Sequence, residues 1–156
     1  DIKFLGSWAR TAYYPIQPAD KFEVALLNFP PYRVFDKEGN EIDYNKHDEY
    51  FAGDYLTVPF TDHYIEYHGS DHVDLIEYVF ENGASKNLLL VGDSYINPFE
   101  PIMASHYHHT YSLDPRRWRG IDLSLSEFRK DHQVDDVIIV GGSGMTVYRA
   151  GLTLKP

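Results

Sequence analysis

The sequence predicts an α/β fold, a small parallel sheet flanked by helices and preceded by a β-rich extension. Three observations carry that reading. The composition changes near residue 85, from tyrosine- and proline-rich pieces to a regular alternation of strand and helix patterns. Two continuous apolar runs, Leu88-Leu89-Leu90-Val91 and Val137-Ile138-Ile139-Val140, have the character of strands buried on both faces. Strands that alternate with helices imply parallel pairing through right-handed crossovers. A length of 156 residues suits one domain, residues 1–84 forming the β-rich part and 85–156 the α/β part.

The elements follow in order. Phe22 to Asn28 is a plausible strand. Arg33-Val34-Phe35 and Glu41-Ile42-Asp43-Tyr44 flank Asp36-Lys37-Glu38-Gly39-Asn40, where Gly and Asn tolerate the positive φ of a hairpin. Tyr55 to Val58 and Leu75 to Phe80 read as further strands. After Leu88–Val91, Pro98 stands where a helix can open, with the helix running to about His106. Thr110 to Leu113 is a short strand, and Leu123 to Lys130 a helix capped by Asp122 or Ser124. Val137–Val140 closes the pattern at Gly141-Gly142. Three strands make a small sheet, which the N-terminal β region is expected to extend or cover.

In such a sheet, ligands bind beyond the carboxyl ends of the strands. Three loops lie there: Gly92-Asp93-Ser94-Tyr95-Ile96-Asn97, Asp114-Pro115-Arg116-Arg117-Trp118 and Gly141-Gly142-Ser143-Gly144. They converge if the three strands are neighbours. A serine between a buried strand and a helix start presents its hydroxyl on a sharp turn, with backbone N–H groups facing the group it attacks. Ser94 is therefore the candidate nucleophile. The bland alternative is that Asp93 and Ser94 merely cap the next helix. Asn97 either donates to an oxyanion or caps the helix at Pro98. Gly142 suits close backbone approach to the serine, and Tyr95 suits stacking on a sugar ring.

The ordered set Leu88–Phe99, with Gly92-Asp93-Ser94, then Ser105-His106-Tyr107, Asp114-Pro115-Arg116 and Val134–Gly142, resembles the C-terminal half of the bacterial DHHW family. The likeness is clearest over about residues 75–142. That family is SGNH-like and similar to proteins that O-acetylate alginate outside the cell. The resemblance implies an SGNH-like sheet and a serine esterase or O-acyltransferase. It implies an exported or surface-anchored bacterial protein whose partner is a cell-surface polysaccharide or acylated sugar. Arg116, within the matching Asp-Pro-Arg segment, is the expected anion contact, although Asp114 and Arg116 would equally fix the loop by a local ion pair. The alternative function is a non-catalytic glycan-binding or structural surface module.

One departure bears on mechanism. The Asp-His-His-Trp motif that gives the family its triad aspartate and histidine does not occur in this sequence. Serine needs an adjacent base, usually a histidine oriented by a carboxylate. The chain starts at Asp1 without a methionine, and its first residues lack signal-peptide form, so a longer protein with the motif upstream is expected. Within the chain, His72 and His63 are the candidate bases. On a strand, Asp71 and His72 point to opposite faces, and only a loop would let the one orient the other.

The remaining features bound the function. A net charge of −10 disfavours a nucleic-acid partner. The absence of cysteine removes disulfides and thiolate metal sites. No apolar run approaches the roughly 20 residues of a membrane span. His106, His108 and His109 read either as a metal pair on a strand or, more plainly, as histidines at a helix C-terminus. Gly141–Gly144 lacks the form of a phosphate-binding loop. No cofactor or metal is expected.

Overall fold

Local chemistry accounts for most of the elements in the computed structural model, which describes residues 3–4, 20–21, 27–44, 75–115 and 124–141. The chain divides into two compact units, Asp1–Asn28 with Tyr44–Ser70 and Phe29–Asp43 with Asp71–Pro156. In the first, strands β1 (Lys3–Phe4) and β2 (Asp20–Lys21) pair antiparallel. The expected strand at Tyr55–Val58 lies outside the described residues, as does most of Phe22–Asn28. Its last two residues, Leu27 and Asn28, are not strand.

The second unit contains a six-stranded sheet in the order β4-β3-β5-β7-β6-β8. Strands β3 (Tyr32–Asp36) and β4 (Glu41–Ile42) form the expected hairpin. Gly39 takes a φ of +82°, which a side chain would oppose. Asp36 fastens the turn, its carboxylate accepting the N–H groups of Glu38 and Asn40 at 3.0 and 2.8 Å. These bonds, that from the Asn40 side chain foremost, hold the Asp36 carboxyl below its usual pKa.

Strand β5 (Leu75–Phe80) alternates half-buried and buried positions. Buried Ile76, Tyr78 and Phe80 share one face. Strand β6 (Asn87–Gly92) is buried from Leu88 onward, as its uninterrupted apolar run requires of a central strand. Helix α1 (Glu100–Ala104), strand β7 (His109–Leu113), helix α2 (Leu125–Asp131) and strand β8 (Asp136–Val140) complete the order. Ser124 is the N-cap of α2, its hydroxyl accepting from Glu127 N–H at 3.3 Å.

The fold is α/β, but the sheet is mixed, which corrects the expectation of a parallel one. Only β7-β6-β8 is parallel; β4-β3, β3-β5 and β5-β7 are antiparallel. The reason lies in the link between β5 and β6, residues 81–86, which is too short for the parallel crossover of a dozen or more residues. The chain therefore reverses between them, and β7 later occupies the place between the two.

Among the described residues, each face of the parallel part carries one helix. Leu89, Val91, Tyr111, Leu113, Phe128 and Val134 form the core beneath α2. On the opposite face Leu88, Leu90 and Ile96 pack with Met103, Tyr107 and Ile138 beneath α1. The chain moves from β6 outward to β7, then crosses back past β6 to β8. Because the direction reverses, crossovers of one hand put their helices on opposite faces.

Candidate active site

Strands β6 and β7 are parallel neighbours whose outgoing loops turn to opposite faces, the one toward α1 and the other toward α2. The chain leaves β6 for β7 on one side and returns to β8 on the other, so the strand order reverses between β6 and β8. That is a topological switch point, and ligands bind there beyond the carboxyl ends of the strands. Gly92 ends β6, so Asp93-Ser94 flanks this point, while Leu113 ends β7 on the other side of β6. Strand β8 also ends here, Gly92 pairing with Val140, so the starts of all three expected loops converge.

The turn that carries Ser94 is built by its neighbours. Gly92 is required by close approach: a Cβ there would run into the side chain of Ile96 and the carbonyl oxygen of Val140. Asp93, buried, closes the turn twice. Its carboxylate accepts Tyr95 N–H at 3.1 Å, and its carbonyl accepts Ile96 N–H at 2.9 Å. Ile96 is 1% exposed and plugs the turn into the core formed by Leu88 and Leu90. Ser94 itself is half-buried, while Tyr95 is 65% exposed.

Three details differ from the sequence reading. The helix begins at Glu100 rather than Pro98, and it is five residues long, so its N-terminus does not abut Ser94. Ile96 carbonyl accepts the N–H groups of both Phe99 and Glu100, at 2.7 and 2.9 Å, and this turn takes up residues 96–99. Proline in the first helical turn is Pro101 instead. Phe99, without a side-chain bond, is the N-cap, so Asn97 is not. Asn97 is buried at the base of the turn. The N–H groups of Tyr95 and Ile96, expected to face an oxyanion, are engaged by Asp93.

Arg116, Gly142, His72 and His63 lie outside the described residues. Strand β5 is antiparallel to β7, so it begins at Leu75 on the same edge where β6 and β7 end. His72 is three positions before Leu75 in sequence.

The histidine cluster is engaged by β5 rather than by the end of α1. His109 Nδ1 bonds Glu77 Oε1 at 2.5 Å, and His108 Nδ1 lies 3.3 Å from the Phe80 carbonyl. His106 is exposed after α1. Among the described residues no group of three or more histidines and carboxylates is placed to hold a metal. Burial and the Glu77 carboxylate raise the pKa of the Tyr111 phenol, next to this pair. Two acids are buried at this end of the sheet: Asp114, read from the sequence only as an ion-pair partner of Arg116, and Glu100, read without a role in the site. Asp114 is 3% exposed at the end of β7, and Glu100 is fully buried in the first turn of α1. In sequence Glu100-Pro101 reads only as part of the helix expected to open at Pro98.

The fold defined by this mixed sheet recurs in solved bacterial structures. That of a DHHW family protein from Eubacterium siraeum DSM 15702 matches 98% of this chain and 52% of its own length, with a TM-score of 0.66 and 18% identity. PatB1 from Bacillus cereus, solved alone and with a sulfonyl adduct, matches 75% of this chain, with TM-scores of 0.53 and 0.52 and identities of 23% and 22%. The chain covers 36% and 37% of those two structures. It thus spans about half the length of the first structure and little more than a third of PatB1. At such identities the likeness is one of fold, and it agrees with the family resemblance read from the residues. No family model matches the chain, and no curated protein does. Among the described residues no helix is long and apolar enough to cross a membrane.

Proposed function

We propose that this chain is the serine-bearing part of a DHHW-like, SGNH-type esterase or O-acyltransferase. Its substrate is an acylated glycan on a bacterial surface, and the protein is exported or surface-anchored. The observation that carries this reading is Ser94, on a tight turn at the switch point between β6 and β8.

Ser94 Oγ attacks the acyl carbonyl while a histidine takes its proton. The tetrahedral intermediate collapses, the sugar oxygen leaves with a proton from that histidine, and an acyl-serine remains. Water resolves it in an esterase, a sugar hydroxyl in a transferase. Asn97, at the base of the turn, is the side chain proposed to donate to the oxyanion. Asp93 holds the turn rather than a proton. Arg116 and Gly142 line the glycan side. Exposed Tyr95 and Phe99 supply the faces on which a sugar ring stacks.

The base comes from the family motif upstream or from His72. From Leu75 across Leu113 to Val91 is two strand spacings, about 10 Å. Three extended residues cover a similar distance, roughly 10 Å. His72, three residues before Leu75, is within reach of that edge and is the candidate base within this chain.

A sulfonyl fluoride reacts with an activated serine hydroxyl and tests the reading directly. The full-length protein is expected to hydrolyse 4-nitrophenyl acetate and to carry a sulfonyl adduct on the peptide containing Ser94. Both are lost in Ser94→Ala. A folded full-length protein inert to both reagents, yet retaining acylated glycan, is instead a binding module, which exposed Tyr95 and Phe99 would serve equally.

A further inference from the structure

Glu100 is fully buried, a costly place for a carboxyl group unless both oxygens are satisfied. Both are. Oε1 accepts Ser112 Oγ from β7 at 2.6 Å, and Oε2 accepts Tyr78 Oη from β5 at 3.1 Å. Three elements thus meet on one side chain, on the face of the sheet beneath α1. Stability alone does not call for an acid here, because packed apolar residues commonly replace buried polar networks without loss. What the acid adds is direction: two hydroxyls on different strands fix where the start of α1 sits and how it is rotated.

That start is joined to the serine turn. Glu100 N–H donates to the carbonyl of Ile96, and Ile96 N–H donates to the carbonyl of Asp93, so two consecutive backbone bonds lead from Glu100 to the residues flanking Ser94. We infer that Glu100 is a positioning residue for Ser94, fastening the nucleophile's turn to β5 and β7 through Tyr78 and Ser112. This inference rests on the serine reading above. Misplacement of a reacting group by about 1 Å costs up to roughly 100-fold in rate.

The experiment compares Glu100→Leu, Glu100→Gln and Tyr78→Phe in the full-length protein. Inactivation by a sulfonyl fluoride is resolved into its maximal rate and its half-saturating concentration, beside the thermal midpoint and amide exchange at Tyr95 and Ile96. Glu100→Leu is expected to lower the maximal inactivation rate roughly 10- to 100-fold, with the half-saturating concentration near wild type. Its thermal midpoint is expected to be lower, because the buried Tyr78 and Ser112 hydroxyls lose Glu100 as acceptor. Glu100→Gln, whose amide can meet both hydroxyls, restores the rate to within about threefold. Tyr78→Phe, which removes one oxygen, gives an intermediate loss and serves if Glu100→Leu does not fold. A folded Glu100→Leu or Tyr78→Phe protein inactivated at the wild-type rate overturns the inference. If the wild type itself is never modified, the serine reading fails, and amide exchange decides alone. Faster exchange at Tyr95 and Ile96 in Glu100→Leu, reversed in Glu100→Gln, upholds the positioning role, and unchanged exchange refutes it.

Discussion

Replacing Gly92 by alanine puts one methyl group where the structure has no room. The added Cβ would overlap the Cγ2 of Ile96 and the carbonyl oxygen of Val140, and it would stand 3.2 Å from Ile96 Cβ. Neither neighbour can yield cheaply. Ile96 is 1% exposed among Leu88 and Leu90, and the Val140 carbonyl belongs to the β8 backbone paired with β6. Either β8 separates from β6 at its end or the serine turn lifts. Overpacking of this kind costs about 1–3 kcal/mol. At about 2–4 °C per kcal/mol for a chain of this size, the thermal midpoint falls by roughly 2–12 °C. Urea unfolding followed by circular dichroism measures the loss. Ile96→Ala in the same background tests its origin, since it removes one of the two collisions. The pair should deviate from additivity by more than about 0.5 kcal/mol, as residues in contact do. A Gly92→Ala protein as stable as wild type, or strict additivity with Ile96→Ala, would refute the close-approach argument. In the serine reading, the same variant also slows sulfonylation of Ser94.

Two further outcomes follow from the same coordinates. Tyr111 has its phenol pKa raised by burial and by Glu77, so the folded state holds that proton more tightly than the unfolded state. The associated stability is complete below the unfolded value of about 10 and is lost as pH rises beyond it. Unfolding measured from pH 8 to 11 should therefore show a steeper alkaline decline in wild type than in Tyr111→Phe, and superimposable profiles would remove the argument. Ser124→Ala deletes the hydroxyl that caps α2 and should cost about 0.5–2 kcal/mol in urea unfolding, with Ser124→Gly losing only a few tenths. If alanine costs no more than glycine, the cap contributes nothing.

What the sequence by itself determined is local. The apolar run of β6 declares burial on both faces, because a strand exposed on one face would alternate. The similar run of β8 misleads, since β8 is an edge strand of the sheet and its Ile139 and Val140 are exposed. The β3–β4 hairpin follows from Asp36 and Gly39, and the start of α2 from Ser124, since each depends on atoms within four residues. The serine turn was legible for the same reason. Pairing partners and strand order are decided by contacts between distant residues, which no local pattern records. Strand β5 was recognisable as a strand, yet only its short link to β6 and its register on β3 and β7 made the sheet mixed. Glu100 reads in sequence as an ordinary residue of a helix's first turn. Its burial exists because Tyr78 and Ser112, brought together by the β5–β7 pairing, offer it two hydroxyls. Gly92 likewise looked like part of a motif, and tertiary packing of Ile96 and Val140 supplied the physical reason that no side chain fits there.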